Sequence, residues 1–325
     1  DLENEKSFKA FEQTIADLLR MYDLTPEVVA HDAHPDYYST RYAQAAGLPS
    51  LAVQHHYAHA LACMAENRIE APCLAVTWDG AGYHPDGTIR GGEFLLINDD
   101  GCELFASIKQ FRLPGGDKAA REGRRSALAL LHAYYGDKAW DHALVHGLDF
   151  TQSELTLLRQ MLEKDINAPL TSGMGRWFDA IAALTGLCRV SRYEGEAAMR
   201  LEFALHEVYT DEAYGFRIER ETIVPDLDAV ANDILEGVAV SSISAKFHNM
   251  LVEVIVDQAR RGGRENVLLT GGCFQNKYLS ECAIERLRSE GFNPYWHQCV
   301  PCNDGGVALG QVIAAARVVR SDTNV

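Results

Sequence analysis

Two short apolar runs, Val28-Val29-Ala30 and Leu51-Ala52-Val53, each lead into a segment of helical period, near 37 to 46 and from His55 to about 66. Strand, helix, strand, helix in that order commits the chain to a layered α/β fold. A further helix is expected over about 7 to 22. Downstream, the runs Cys73 to Thr77, Thr88 to Ile97 and Cys102 to Ile108 are rich in β formers and separated by Pro85-Asp86-Gly87 and Asn98-Asp99-Asp100-Gly101. They read as an antiparallel meander attached to the parallel part of a sheet. From 118 to about 208 the period becomes helical, with helices expected near 119 to 135, 138 to 146, 152 to 164, 176 to 186 and 195 to 207. A less regular link around 209 to 239 precedes a helix (243 to 261), the strand Asn266 to Thr270, a Gly-Gly turn, a helix near 277 to 289 and a last helix from Gly305 to Val319. With no repeat and no heptad, the expected architecture is two α/β lobes with a cleft between them.

Composition removes several functions. A net charge of -16 repels phosphate backbones, so no broad nucleic-acid surface is expected. No run approaches the roughly 18 apolar residues of a membrane span, and the start, Asp1-Leu2-Glu3-Asn4-Glu5, is no signal peptide. The chain reads as cytoplasmic and as part of something longer. Its eight cysteines fit buried thiols in a reducing compartment. Cys299 and Cys302 have C-x-x-C spacing, but no second pair completes a structural zinc site.

Chemistry concentrates where strands end. His55 and His59 are one helical turn apart, so their imidazoles project from one face of a helix that follows a strand. Spacing alone leaves open whether they bind a cation or pack against a sheet edge. A metalloprotease would carry Glu at the position of His56, so that chemistry is excluded. Asp79, in Trp78-Asp79-Gly80, and Asp304, in Asn303-Asp304-Gly305-Gly306, each precede small residues at element boundaries. Two His and two Asp would form an open N/O site suited to Fe(II), Zn or Mn, although each Asp could also be an ordinary cap. Thr270-Gly271-Gly272, after a buried strand, could bring backbone N–H groups to a phosphate or an adenine edge. Leu113-Pro114-Gly115-Gly116-Asp117-Lys118 offers a second glycine turn with an ammonium. Neither a Walker A loop nor a G-x-G-x-x-G fingerprint is present.

In order, His55-x-x-x-His59, Trp78-Asp79-Gly80, Gly91-Gly92-Glu93-Phe94, Leu113-Pro114-Gly115-Gly116-Asp117, Gly175-Arg176-x-Phe178-Asp179, Tyr193-Glu194-Gly195-Glu196-Ala197-Ala198, Thr270-Gly271-Gly272 to Asn276, and Asn303-Asp304-Gly305-Gly306 closely resemble the HypF carbamoyltransferases of [NiFe]-hydrogenase maturation. The match covers nearly the whole chain and corresponds to their C-terminal, TsaD/Kae-like domain. It implies a two-lobed actin/Hsp70/sugar-kinase (ASKHA) fold with mixed sheets and a helical insertion. The lobes are expected at 1–112 plus 305–325 and at 113–304. The fold's opening strands and first phosphate loop would precede Asp1.

The resemblance also implies that His55, His59 and Asp304 bind a divalent metal, Fe or Zn before Mg, with Asp79 on it or beside it. Asp179 would meet the ribose, Gly195 the nucleotide, and Gly271, Gly272 and Asn276 the adenosine, with Lys118 and Arg121 as anion contacts. In the family, a separate YrdC-like domain makes carbamoyl-adenylate from carbamoyl phosphate and ATP. The Kae-like domain then passes the carbamoyl group to the C-terminal Cys of HypE, the precursor step of the cyanide ligands. A metal-dependent O-carbamoyltransferase acting on a sugar or antibiotic hydroxyl would share these sites. A non-catalytic ATP-dependent scaffold would not need the imidazoles. The chain departs from the family pattern at Gly123-Arg124, where Pro-Trp is usual, at Cys302 for Pro, and at Glu196 for Gln, which is expected to add negative charge beside the nucleotide and, in the first case, to loosen the backbone around Glu122.

Overall fold

The computed structural model describes residues 2, 4–205, 208 and 210–323. Val29–Asp32 and Ser50–Val53 pair in parallel, and each feeds a helix, Tyr38–Ala45 and His55–Asn67. The second helix opens under Gln54, whose side chain caps the Tyr57 N–H at 2.7 Å, so the first helical residue is His55 itself.

Among the described residues the larger sheet has nine strands. Asn293–Trp296, Asn266–Thr270 and Cys73–Tyr83 lie parallel, then Ile89–Asn98 and Gly101–Ile108 continue antiparallel, and the hairpin Thr222–Pro225 and Phe216–Glu219 closes the edge. Phe111–Arg112 and Leu170–Thr171 pair to one side. Strands from both sides of residue 112 thus share one sheet. Cys73 to Asp79 are all buried, and Trp78 and Phe94 stack edge to face in the core between the sheet and the helical region, with centroids 5.7 Å apart. Burying each such ring contributes on the order of 2–3 kcal/mol.

Two features aim this scaffold at its site. The strand Cys73–Tyr83 bulges between Trp78 and Gly82, which turns Asp79 out of the regular alternation. Gly91 on the neighbouring strand makes room for it: a Cβ there would lie 2.6 Å from the Asp79 carbonyl. On the other side, helix Val307–Thr323 crosses helix His55–Asn67 so closely that a Cβ on Gly310 would lie 1.8 Å from the Ala58 carbonyl.

Several expected elements are revised. The helix expected over 119 to 135 breaks at Glu122 into Asp117–Arg121 and Gly123–Tyr135, because Gly123 rests against helix Met174–Leu184, its ideal Cβ 2.9 Å from the Asp179 carbonyl. The segment 138 to 146 is a 3-10 turn, Gly136–Asp141, and a single turn of helix, Ala143–His146. Within the link 209 to 239 lie the Phe216–Pro225 hairpin and helix Leu227–Leu235. Among the described residues no helix is long and apolar enough to cross a membrane.

Candidate metal and nucleotide site

His55, His59, Asp79 and Asp304 converge, each offering one ligand atom, and these atoms all lie within 4.8 Å of one another. His59 Nε2 is 3.2 Å from both His55 Nε2 and Asp79 Oδ2. His55 Nε2 is 3.4 Å from Asp79 Oδ2 and 3.5 Å from Asp304 Oδ1, which stands 3.6 Å from His59 Nε2. The edge of a tetrahedron with bonds of about 2.1 Å is roughly 3.4 Å, so the donor set fits the first shell of a transition-metal ion. Three of the four are buried, whereas the Asp304 side chain is 76% exposed and comes from the turn Asp304–Gly306.

Asp32, which sequence reasoning missed, completes the geometry. Its Oδ2 lies 2.8 Å from His55 Nδ1 and takes that ring's N–H, which leaves the Nε2 lone pair for a cation. The signal was there in principle: Asp32 ends a strand parallel to the one that delivers His55. Burial disfavours the imidazolium of His55, but hydrogen bonds with Asp304, Asp32 and Asp79 outweigh it and hold its pKa well above the ordinary value. His59 is raised by the same balance, through Asp304 and Asp79. Burial pushes Asp79 up, and the two imidazoles more than reverse this, holding it well below the usual carboxylate range. His56, one residue on, is driven down by burial and by the charge of His55.

Two cavities open beside this cluster. One, of about 440 Å³, is lined by Asp79, Gly80, Arg121, Arg176, Arg192, Gly195 and Asp304 among others. The other, of about 340 Å³ and mostly apolar, is lined by Phe178, Ala198, Met199, Phe203, Gly272, Gln275 and Asn276. Glu194 and Gly195 border both. Gly195 is the N-cap of helix Glu196–Ala204 and has φ 77°, a conformation glycine adopts without strain.

The glycines after Thr270 are required by the protein itself. A Cβ on Gly271 would lie 2.3 Å from the Trp78 carbonyl, and one on Gly272 would lie 2.8 Å from Asp79 Oδ1. The turn therefore seats Asp79 as well as lining the apolar cavity. Asn276 lines that cavity with its side chain already engaged: Oδ1 accepts from Leu279 N at 2.9 Å, and Nδ2 donates to His248 Nε2 at 2.8 Å, leaving one amide hydrogen. Burial lowers His248 to about 4, which keeps Nε2 an acceptor. Asp179 is buried and borders neither cavity directly, and burial pushes its carboxyl up to about 6 against the charge of Arg176. Arg176 Nη2 is 2.8 Å from Asp179 Oδ2, but the contact is misaligned and that oxygen accepts no hydrogen bond. Lys118 borders neither cavity and faces Glu122 at 3.3 Å.

The departures from the family pattern are also accommodated. Glu196, expected to add charge by the nucleotide, is neutralised by Arg192 and Arg200 at 2.8 and 2.6 Å. Arg124 lies over the Phe150 ring at 4.4 Å and donates to the Asp149 carbonyl. Arg125 and Arg124 both grip Glu122, at 2.9 and 3.2 Å, so the backbone expected to be loose there is tied down.

Comparison with known proteins gives the family. Residues 75–311 match the family described as carbamoyltransferase, Kae1-like domain, second subdomain, and residues 1–66 match the HypF Kae1-like domain. The chain belongs to the HypF carbamoyltransferase family. Carbamoyltransferase HypF of Synechocystis sp. is 39% identical over 97% of this chain, and a carbamoyltransferase HypF homolog of Cupriavidus necator is 36% identical over 98%. A crystal structure of full-length HypF in the phosphate- and nucleotide-bound form superposes with a TM-score of 0.92, at 36% identity over 98% of the chain. This HypF-type domain spans 43% of the Synechocystis protein, 84% of the Cupriavidus homolog and 51% of the crystallised chain. The resemblance and the mixed α/β, ASKHA-like fold expected with it are thereby shown.

Proposed function

We propose that this domain transfers a carbamoyl group from carbamoyl-adenylate to the thiol of a C-terminal cysteine on HypE, in the synthesis of hydrogenase cyanide ligands. The adenylate would come from carbamoyl phosphate and ATP through a YrdC-like domain outside this chain. The observation that carries the reading is that the His55/His59/Asp79/Asp304 cluster opens on a cavity that shares its lining residues Glu194 and Gly195 with a second, apolar one. The solved full-length HypF is nucleotide- and phosphate-bound, which supports a nucleotide as a ligand of the family.

The adenine and ribose would occupy the apolar cavity between Phe178, Met199 and the Gly272 turn. Asp179 Oδ2, buried without a hydrogen bond, would accept from a ribose hydroxyl. Arg121 and Arg176 border the other cavity and would hold the phosphate end of the adenylate. When bound by His55, His59, Asp79 and Asp304, a divalent metal would polarise the carbamoyl carbonyl as a Lewis acid. The partner's thiolate then attacks the carbamoyl carbon, the C–O bond to phosphate breaks, and AMP leaves with the electron pair. Cys273 lines the apolar cavity, but burial holds its thiol well above the ordinary range, so it is no nucleophile.

The test incubates a complete protein carrying this domain with ATP, carbamoyl phosphate and a peptide ending in Cys, or with a small alcohol. The expected product is the S-carbamoyl peptide, detected by mass. Carbamoylation of the alcohol alone would replace this reading with the O-carbamoyltransferase one. His55→Ala and His59→Ala are expected to abolish stoichiometric metal in elemental analysis of the folded protein.

A further inference from the structure

Asp304 differs from the other three members of the cluster in being exposed and carried by a turn, so something else has to fix its distance from the imidazoles. One candidate lies at the far end of the helix that bears them. Glu66 is in the last turn of helix His55–Asn67, seven residues after His59 and on the same face. Its Oε1 accepts the backbone N–H groups of Gln298, Cys299 and Val300, at 2.9 Å from the first and 3.2 Å from the last. Its Oε2 takes the Nδ1–H of His297 at 3.0 Å, and His297 Nε2 meets Thr270 Oγ1 at 2.8 Å. Asn67 adds a bond from Nδ2 to the Trp296 carbonyl at 3.0 Å. At its other end the loop is held by Gly271 N donating to the Cys302 carbonyl at 3.0 Å, one residue before Asn303 caps the turn.

A carboxylate in the last turn of a helix opposes the helix dipole, and this last turn carries no basic residue to offset it. For the helix by itself Glu66 is unfavourable, so its placement is explained by the loop it holds. Three consecutive N–H groups converging on one oxygen form a rigid anion nest, here closed by a side chain from the helix that also bears His55 and His59.

We propose that Glu66 is a positioning residue that sets the reach of Asp304 to the His55/His59 pair. This rests on reading His55, His59, Asp79 and Asp304 as metal ligands. Zinc(II) affinity of the full chain, measured by competition with a chromophoric chelator, tests it through double-mutant cycles. Glu66→Gln is expected to weaken zinc roughly tenfold, the low end for loss of an outer-shell partner. In an Asp304→Ala background it is expected to cause no further loss, whereas in an Asp32→Asn background its effect persists in full. A positional role confined to Asp304 produces that pattern; general loosening of the fold produces additive losses in both backgrounds. Unchanged zinc affinity in Glu66→Gln, or additivity with Asp304→Ala, overturns the proposal while leaving the metal site standing. Failure of the unmodified chain to bind zinc removes the metal reading and this inference with it. Should Glu66→Gln not fold, Glu66→Asp, which keeps the charge and shortens the reach, is put through the same cycles with the same expected pattern.

Discussion

Glu93 is the group whose ionisation most directly tests the packing beneath Asp79. It lies on strand Ile89–Asn98 with 1% of its surface exposed. Its Oε2 accepts the N–H groups of Gly91 and Gly92 at 2.7 and 3.0 Å, and Ser172 Oγ donates to its Oε1. Gly91 makes room for the Asp79 backbone, so this one carboxyl ties down the strand opposite the bulge. Burial raises its pKa from 4.5 to about 7, against the hydrogen bonds from Ser172, Gly91 and Gly92 and the charge of Arg90. Below pH 4.5 both folded and unfolded chains carry the proton and the group is neutral to stability. Between 4.5 and 7 the unfolded chain ionises first, so stability falls as pH rises, and the loss levels off above 7 at roughly 3 kcal/mol. Glu93→Gln keeps an acceptor for the two glycine N–H groups and offers Ser172 a donor, but it cannot ionise. Reversible urea unfolding of both proteins at pH 5, 6, 7 and 8 should show the variant gaining on the wild type by about 2–3 kcal/mol across that range. A stability difference that is constant with pH would refute the reasoning, because only an ionisable Glu93 makes it vary.

Asp179→Asn keeps the shape of the side chain but loses a charged acceptor, and AMP affinity measured by calorimetry is expected to fall roughly ten- to a hundredfold, in keeping with about 1.5–3 kcal/mol for a hydrogen bond to a charged group. Unchanged affinity removes Asp179 from the nucleotide site. Gly310→Ala forces a methyl to within 1.8 Å of the Ala58 carbonyl, so helix Val307–Thr323 has to move off the helix that carries the histidines. A loss of about 1–3 kcal/mol is expected in urea unfolding, and a neutral result would mean that the two helices shift freely.

The sequence exposed the site more fully than the fold around it. His55, His59, Asp79 and Asp304 were legible because each sits at a junction between local elements, where strand period, helix period and small residues meet in a few positions. Asp32 escaped because what matters about it is a contact made across the fold, with His55 twenty-three residues on. The hairpin Phe216–Pro225 escaped for another reason: its strands are four residues long, and Phe-Arg-Ile-Glu shows an alternation too brief to stand out from a loop. At Gly271 and Gly272 the sequence pointed to tight packing but not to the partner inside the fold. Close approach by a ligand was expected there, and close approach by Trp78 and Asp79 is what forbids a side chain.

The four residues of the cluster come from a helix, a bulged strand and a turn far along the chain, so a cation shared by them would link segments that no single element holds together. Such a cation would bind the folded chain and stabilise it by mass action, by about 2.7 kcal/mol at a hundredfold excess over its Kd. Zinc(II) at that excess should raise the melting temperature by several degrees, and His59→Ala should abolish the rise. The effect has to weaken as pH falls, because hydrogen bonds with Asp304 and Asp79 hold both imidazoles above their ordinary pKa and the cation must displace their protons. Zinc bound by the free cysteines would also shift the melting curve, but it would do so equally in wild type and in His59→Ala. Equal shifts in the two proteins would therefore locate the metal away from the cluster and leave its paired imidazoles and carboxylates as structural ion pairs.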